Sequence, residues 1–514
     1  MEMKEQGDEL VQLFTRHAAN RPSAVAVHDG DKLLTYGDMD VASDRVARRL
    51  MVAGIRPGML VALALPRGAL ACIAILGVLK SGAAYLPLDP DDDSERAHFQ
   101  LANSGASHVV VADQRAPDGL APQPVTRTTP TGSLPPGTAY VIYTSGSTGT
   151  PKGVPVPTVG VVDLLRSAHD VFALNDHDVW SQVHSLVFDV HVWELWGALS
   201  TGARLVIVPP ATVRNPYQLA RFTGEHRVTV LSQVPTSFAA LVTALRRVPA
   251  ALDALRYVVL AGEPVRMSSL EQWRAGRMSP AARIINMYGI TETAVHVTAA
   301  DVTDFAERPP HPGATPVGLP LAHLRLIAVD PNTLRPVPPG DIGELMVAGS
   351  SVAPGYLDRP ELTAQRFVRL PDTGAPNTWY RSGDLALWSH GMWWHVGRSD
   401  DQVQIKGVRI ELGEIETVLR GCPFVDDAVV CAPSYPDSGH RLVAAYVPAA
   451  EVAPPVDVQA VRGYLAARLP PHMIPSAFLA MDELPVTAGG KLNRRAVERR
   501  WIGDREANTC HEHV

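Results

Sequence analysis

The sequence predicts an α/β protein, with a large amino-terminal domain of mostly parallel sheets flanked by helices and a small α+β domain at the carboxyl end. Three observations carry this. Short β-branched runs alternate with amphipathic stretches, the pattern of strands joined by helical crossovers. Hydrophobic residues make up 46% of the 514, and a chain of that length calls for two or more domains. Near residue 400 the pattern changes to charged helices and short paired strands.

Taken in order, the longest uninterrupted apolar run is Ala69–Leu79, eleven residues, too short for the roughly 20 that cross a bilayer. Strands are read at His108–Ala112, Ala139–Tyr143, Arg204–Pro209 and Arg256–Ala261, and helices at Pro216–Glu225 and Thr236–Arg247. Residues 381–402 read as polar turns flanking one short aromatic strand, and 409–419 (RIELGEIETVL) as an amphipathic helix. Strands at Asp427–Ala432 and Leu442–Val447, a helix over Asp457–Arg468 and a Pro-rich turn, Leu469–Pro475, complete the small domain. The expected divisions are 1–398 for the large domain, 399–500 for the small one and 501–514 as a disordered tail.

The charge balance, 46 Lys+Arg against 53 Asp+Glu for a net −7, leaves no electrostatic footprint for nucleic acid. The start, MEMKEQGDEL, has no apolar core and is not a secretory signal. Cys72, Cys422, Cys431 and Cys510 match no zinc or CxxC spacing, and Cys72 reads as core. The expectation is a cytoplasmic protein without a disulfide framework.

One loop carries chemistry on its face. Tyr143–Gly153, YTSGSTGTPKG, follows a strand and combines Thr144, Ser145, Gly146, Ser147, Thr148, Gly149, Thr150 and Lys152. Glycines let the backbone approach a ligand, successive N–H groups form an anion-binding concavity, and hydroxyls and Lys152 add donors and charge. Its spacing is not that of a Walker A loop.

TSGSTGTPKG resembles the phosphate loop of adenylate-forming enzymes: acyl-CoA synthetases, firefly luciferases and adenylation domains of nonribosomal peptide synthetases. The peptide-synthetase branch is matched in order by LTYGDMD (34–40), LKSGAAYLPLDP (79–90), FDVHVWELW (188–196), NMYGITET (286–293), GELMVAGSSVAPGYL (343–357), YRSGDLA (380–386), GRSDDQVQIKGVRIELGEIE (397–416), LPPHMIP (469–475) and GGKLNRR (489–495). The resemblance implies ATP and Mg²⁺, with Tyr288 stacking on adenine, Asn286 at the adenine edge, Thr291 on the α-phosphate and Glu292 helping to hold the metal. Asp384 would accept from both ribose hydroxyls and Arg398 would contact ribose and phosphate. Lys491 would follow the charge that develops between substrate carboxylate and phosphate. Ile290 and Gly489 depart from the family's usual Pro and Asn. The small domain would be mobile, turning about a hinge at Asp400, with Gly407 lining the thiol's approach.

The same resemblance assigns Asp189 to the α-ammonium of an amino acid, with a helix N-cap as its plainer reading. Val190, Trp193, Ser232, Val259, Ala261, Met287, Val295 and His296 would line the side-chain pocket. Trp193 and Met287 occupy volume, and Ser232 and His296 can hydrogen-bond a hydroxyl. The expected order is threonine, serine, then 2-aminobutyrate. Only 23 residues follow Lys491, so a peptidyl carrier protein is expected in trans, with a small MbtH-like protein as a further partner. A CoA ligase of the same superfamily and a non-enzymatic nucleotide-binding scaffold stay open.

Overall fold

The computed structural model describes residues 9–116, 119–125, 134–146, 150–248, 252–276, 278–370, 378–400, 402–435, 439–449, 457–485 and 493–511, with side chains through 502. Contacts divide the chain into two units. The larger comprises Met1–Asp91, Leu101–Tyr143 and Gly153–Ser399; the smaller comprises Asp92–Gln100, Thr144–Lys152 and Asp400–Val514. Two short stretches before residue 398 thus fall outside the large domain expected at 1–398. The reason lies in contacts distant in sequence: Arg96 pairs with Glu414 at 3.1 Å, and Ser145 donates to the Arg409 carbonyl at 2.9 Å.

The larger unit is built on a sheet of fourteen strands. Its parallel half runs Val25–Asp29, Arg204–Ile207, Val179–Gln182, Val230–Gln233, Tyr257–Leu260, Arg283–Tyr288. Helices Val190–Thr201, Pro235–Arg247 and Met267–Gly276 make the crossovers that parallel pairing demands. Past Tyr288 the ladder turns antiparallel, through Thr298–Asp301, Thr315–Pro320, Met392–Arg398, Trp379–Ser389, Gly343–Gly349 and Leu324–Val329. The segment 381–402, expected as one strand between turns, is the hairpin of Trp379–Ser389 and Met392–Arg398. Its two-residue turn has His390 at φ 52° and Gly391 at φ 73°, the double left-handed conformation that matches strand twist. Its register sets Asp384 opposite Arg398.

A second sheet of six strands, mostly parallel, includes Leu60–Ala64, Ala84–Leu88 and Thr138–Thr144. The apolar run Ala69–Leu79 forms the helix Ala69–Lys80, buried almost all round, the reading its composition allows short of a membrane span. No helix among the described residues is long and apolar enough to cross a membrane.

The smaller unit opens with the hairpin Gln402–Ile405 and Val408–Glu411, with Lys406 at φ 52° in its turn. Arg409–Glu411, expected as helix, are therefore strand; the helix is Leu412–Arg420. Alternation in QVQI and VRIE outweighs helical propensity once the two runs pair across Lys406–Gly407. Strands Val425–Cys431, Val443–Pro448 and Ala477–Ala480 form a sheet packed on both faces. Ala428 and Val430 join Ile415, Leu419, Val461 and Leu465 on one side. Val429 and Cys431 join Met481 and Val497 on the other. Residues 501–511, expected as tail, continue the helix Arg494–His511. Val497 and Trp501, four apart and so on one helix face, dock it on the sheet.

Candidate active site

The nucleotide-type residues of the larger unit gather on the antiparallel half of its sheet. Asp384 is buried. Its carboxylate accepts from the Tyr288 hydroxyl at 2.6 Å, from Arg398 Nη1 at 2.7 Å and from His395 Nε2 at 3.3 Å. The Ser382 hydroxyl accepts from the Asp384 amide at 3.0 Å and the Ser382 carbonyl from Arg398 at 3.2 Å. Burial works against the charge on Asp384, but Arg398, His395 and Tyr288 outweigh it and hold the carboxyl well below the usual range. An ionised, acceptor-only group of this kind suits the two hydroxyls of a vicinal diol. Asn286 is buried on the strand that also carries Tyr288 and donates to the Pro316 carbonyl at 2.7 Å.

Glu292 sits in the short 3₁₀ turn Thr291–Thr293, fully buried. Tyr356 donates to its Oε1 at 2.7 Å, and the Glu292 carbonyl accepts from Ala353 at 2.8 Å. Before this turn, Gly289 lies under the backbone of Val295: a Cβ there would stand 1.8 Å from the Val295 carbonyl oxygen. After it, Ala294 and Val295 both take positive φ, 58° and 72°. A β-branched residue there is strained by about 1–3 kcal/mol. The bond from Val297 N–H to the Tyr288 carbonyl at 2.7 Å holds the excursion, which carries Val295 and His296 into the interior.

Asp189 occupies the position before helix Val190–Thr201, yet its side chain makes no capping bond. Its carboxylate is instead hydrogen-bonded by Thr291 and by the amide of Val190, the first residue of that helix. The turn is anchored from below. Buried His191 donates Nδ1–H to the Phe188 carbonyl at 2.7 Å and receives the Tyr85 hydroxyl on Nε2 at 3.0 Å. Burial pushes Asp189 up to about 6; a hydrogen bond from Thr291 opposes this and the charge of Glu292 adds to it. Asp189, Thr291 and Glu292 are thus close neighbours.

The expected pocket residues share one face of the parallel sheet and what covers it. Ser232 pairs with Val259, and Val259 with Ile285, so Ser232, Val259 and Met287 project to the same side. Trp193, from the helix above, meets His296 edge-on at 5.3 Å and Trp180 at 5.1 Å. Ser232, Trp193, Val259, Met287, Val295 and His296 are buried; Val190 and Ala261 are half-buried. The Ser232 hydroxyl and both ring nitrogens of His296 have no partner among the described residues. Burial drives His296 down to about 3, so its ring is neutral.

In the smaller unit, Thr144, Ser145 and Gly146 open the loop after strand Thr138–Thr144, and Lys152 is buried at the head of Lys152–Pro157. A Cβ on Gly146 would stand 2.0 Å from the Thr150 carbonyl oxygen, so Thr150 approaches this closely only with glycine at 146. The Gly146 amide donates to Glu414 at 3.3 Å, and the Ser145 hydroxyl accepts from the Glu411 amide at 3.2 Å. Asp400 begins this unit's main stretch, and the Gln402 amide donates to it at 3.4 Å. Ser147, Thr148, Gly149 and Lys491 lie outside the described residues.

Sequence reasoning did not find Ser382, His395 or Tyr356. Ser382 lies within YRSGDLA, Tyr356 within GELMVAGSSVAPGYL and His395 two residues before GRSDDQ, but the role of each appears only when the fold brings it to Asp384 or Glu292. No group of three or more His, Cys, Asp or Glu among the described residues is placed to hold a metal unaided.

Residues 14–357 match the AMP-binding enzyme family and residues 414–491 the AMP-binding enzyme C-terminal domain. The chain is 40% identical to the dimodular nonribosomal peptide synthase of Bacillus subtilis over 95% of its own length, spanning about a fifth (21%) of that protein. It is 40% identical to syringomycin synthase SyrB1 of Pseudomonas syringae, covering 95% of this chain and 81% of that one. Among solved structures, the fused adenylation–PCP di-domain NpsA-ThdA from Klebsiella oxytoca is 26% identical, with a TM-score of 0.77 over 91% of this chain and 93% of that chain. With this site geometry and these matches, the chain belongs to the AMP-binding enzyme family, as an adenylate-forming, ATP-using ligase domain of the nonribosomal peptide synthetase type.

Proposed function

We propose that the chain activates a small polar α-amino acid, threonine- or serine-like, as its aminoacyl-AMP and then passes it to the phosphopantetheine thiol of a carrier protein. The observation that carries this is Asp189, a carboxylate beside the pocket that does not cap its helix. A carboxylate so placed suits the substrate's α-ammonium, since buried charge is costly unless paired. Trp193 and Met287, both buried, limit the side chain that fits.

The chemistry is one of positioning and charge neutralisation. A substrate carboxylate oxygen attacks the α-phosphorus of ATP, the bond to the β-phosphate oxygen breaks, and pyrophosphate leaves with that electron pair. Asp384 receives the ribose hydroxyls, Arg398 steadies it, and Tyr288 offers its ring to adenine. Thr291 reaches the α-phosphate. Glu292, oriented by Tyr356, suits Mg²⁺, which takes one or two carboxylates alongside phosphate oxygens; the ion would neutralise phosphate charge. Lys491 follows the charge developing in the transition state. The small domain turns about Asp400 between adenylation and thioester formation.

The test is to load a holo carrier protein with labelled amino acid and to offer free coenzyme A in parallel. Acylation of the carrier, dependent on ATP and amino acid, is expected. Thioester on free coenzyme A alone would establish the CoA-ligase reading instead.

A further inference from the structure

Gln182 is completely buried, and neither its amide oxygen nor its amide nitrogen has a partner among the described residues. A buried amide left unpaired costs about 1–3 kcal/mol per unsatisfied group, so its place in the interior calls for a reason. Its strand supplies one. Val230 stands opposite Trp180 on the adjacent parallel strand, and Gln182 and Ser232 each lie two residues further on. Side chains two apart share a face, so Gln182 projects to the same side as Ser232 and Val259. That face is covered by Trp193, which touches both Trp180 and His296.

Gln182 and Ser232 thus lie on the face covered by Trp193, which meets His296, and the side-chain polar atoms of this set of three all lack partners among the described residues. The set holds no formal charge. It contains donors (the Gln182 amide N–H groups, one His296 N–H) and acceptors (the Gln182 carbonyl, the other His296 nitrogen), with the Ser232 hydroxyl able to serve as either. We infer that Gln182 is a further specificity-determining residue, and that with Ser232 and His296 it reads an uncharged substrate side chain offering both a hydrogen-bond donor and an acceptor. A hydroxyl or carboxamide side chain fulfils this; an apolar one such as 2-aminobutyrate leaves three buried groups unpaired. This deepens the amino-acid reading above and rests on it.

The size of the effect follows from the chemistry. A site built to hydrogen-bond a substrate hydroxyl rejects the analogue lacking it by about 10⁴-fold, whereas an apolar pocket separates such pairs by only about 10²-fold. The experiment compares kcat/KM for threonine, valine and 2-aminobutyrate in amino-acid-dependent pyrophosphate exchange, in the parent chain and in Gln182→Leu and Gln182→Met. The parent is expected to favour threonine strongly, and both variants to lower the threonine to 2-aminobutyrate ratio by at least about tenfold. A purely structural role would lower all three substrates together and leave the ratio unchanged, which overturns the inference. The ligand-free variants are also expected to melt no lower than the parent, since removing an unpaired buried amide is neutral or stabilising. A clear drop in melting temperature would show that the amide has a structural partner and would equally overturn it. Failure of the parent to exchange with any amino acid is a different result, which defeats the amino-acid reading itself.

Discussion

Lys80 and Asp189 show how differently two residues of matched segments act. Lys80 is tied to Asp40 and Asp44 at 2.6 Å each, joining helix Ala69–Lys80 to helix Tyr36–Val52; it is structural. Asp189 holds a charge no side-chain cap accounts for, and its pH behaviour can be forecast. Its carboxyl is raised to about 6, and only the ionised form can pair with an ammonium. The profile of kcat/KM for amino acid is therefore expected to climb through about pH 6 and level off above it, because this parameter reports the free enzyme. Asp189→Asn removes that inflection and lowers kcat/KM by roughly 100-fold or more, the loss of one partner of a buried pair at about 3 kcal/mol. An Asn variant with parental kcat/KM and the same profile would exclude the assigned role. Lys491→Ala is expected to abolish adenylate formation while nucleotide binding, followed by calorimetry, changes little, because its interaction grows only as charge develops. Asp384 and Asp189 were both legible as motif positions. Their partners were not: Ser382 and His395 acquire meaning only through register, and Thr291, read from its motif for the α-phosphate, meets Asp189 only through the fold.

The hairpin Trp379–Ser389/Met392–Arg398 and the helix Leu412–Arg420 carry the next consequences. In the hairpin, Asp384 and Arg398 face each other with little exposure, 6% and 13% of their side chains. Asp384→Ala leaves Arg398 without that partner and is expected to destabilise the chain by about 3–5 kcal/mol and to raise KM for ATP; denaturant unfolding and exchange kinetics check both. On the helix, Glu414 is buried beside Arg96 and the Gly146 amide, and desolvation raises it to about 7 despite both. Its folded form thus binds a proton more tightly than the unfolded chain does. The sign follows: as pH rises from about 4.5 to 7 the unfolded chain gives up this proton first, and stability falls across that window. Glu414→Gln is expected to flatten the decline in melting temperature between pH 5 and 8; an unchanged slope would assign the dependence to other groups. Elements with strong periodicity were readable in advance: His108–Ala112 and Pro216–Glu225 stand at their expected bounds. The two hairpins were missed because their turns, His390–Gly391 and Lys406–Gly407, carry φ > 0 on a non-glycine residue and so lack the strongest hairpin signal.

The chain as a whole combines a parallel half-sheet, which carries Ser232, Val259 and Met287, with an antiparallel half, which carries Asp384 and Arg398. The large-plus-small architecture was visible in the change of patterning near residue 400, whereas the transfer of Asp92–Gln100 and Thr144–Lys152 to the smaller unit was not, because it arises from contacts distant in sequence. If the small domain turns about Asp400, Asp400→Pro, which fixes φ near −65°, is expected to slow carrier loading while pyrophosphate exchange stays near the parental rate. A parallel loss of both would contradict a hinge there. The most direct measurement is amino-acid-dependent ATP–pyrophosphate exchange across a panel of small amino acids. Exchange led by threonine or serine, dependent on Asp189, is the predicted result; no exchange with any amino acid, in a folded chain that binds ATP, would contradict the account.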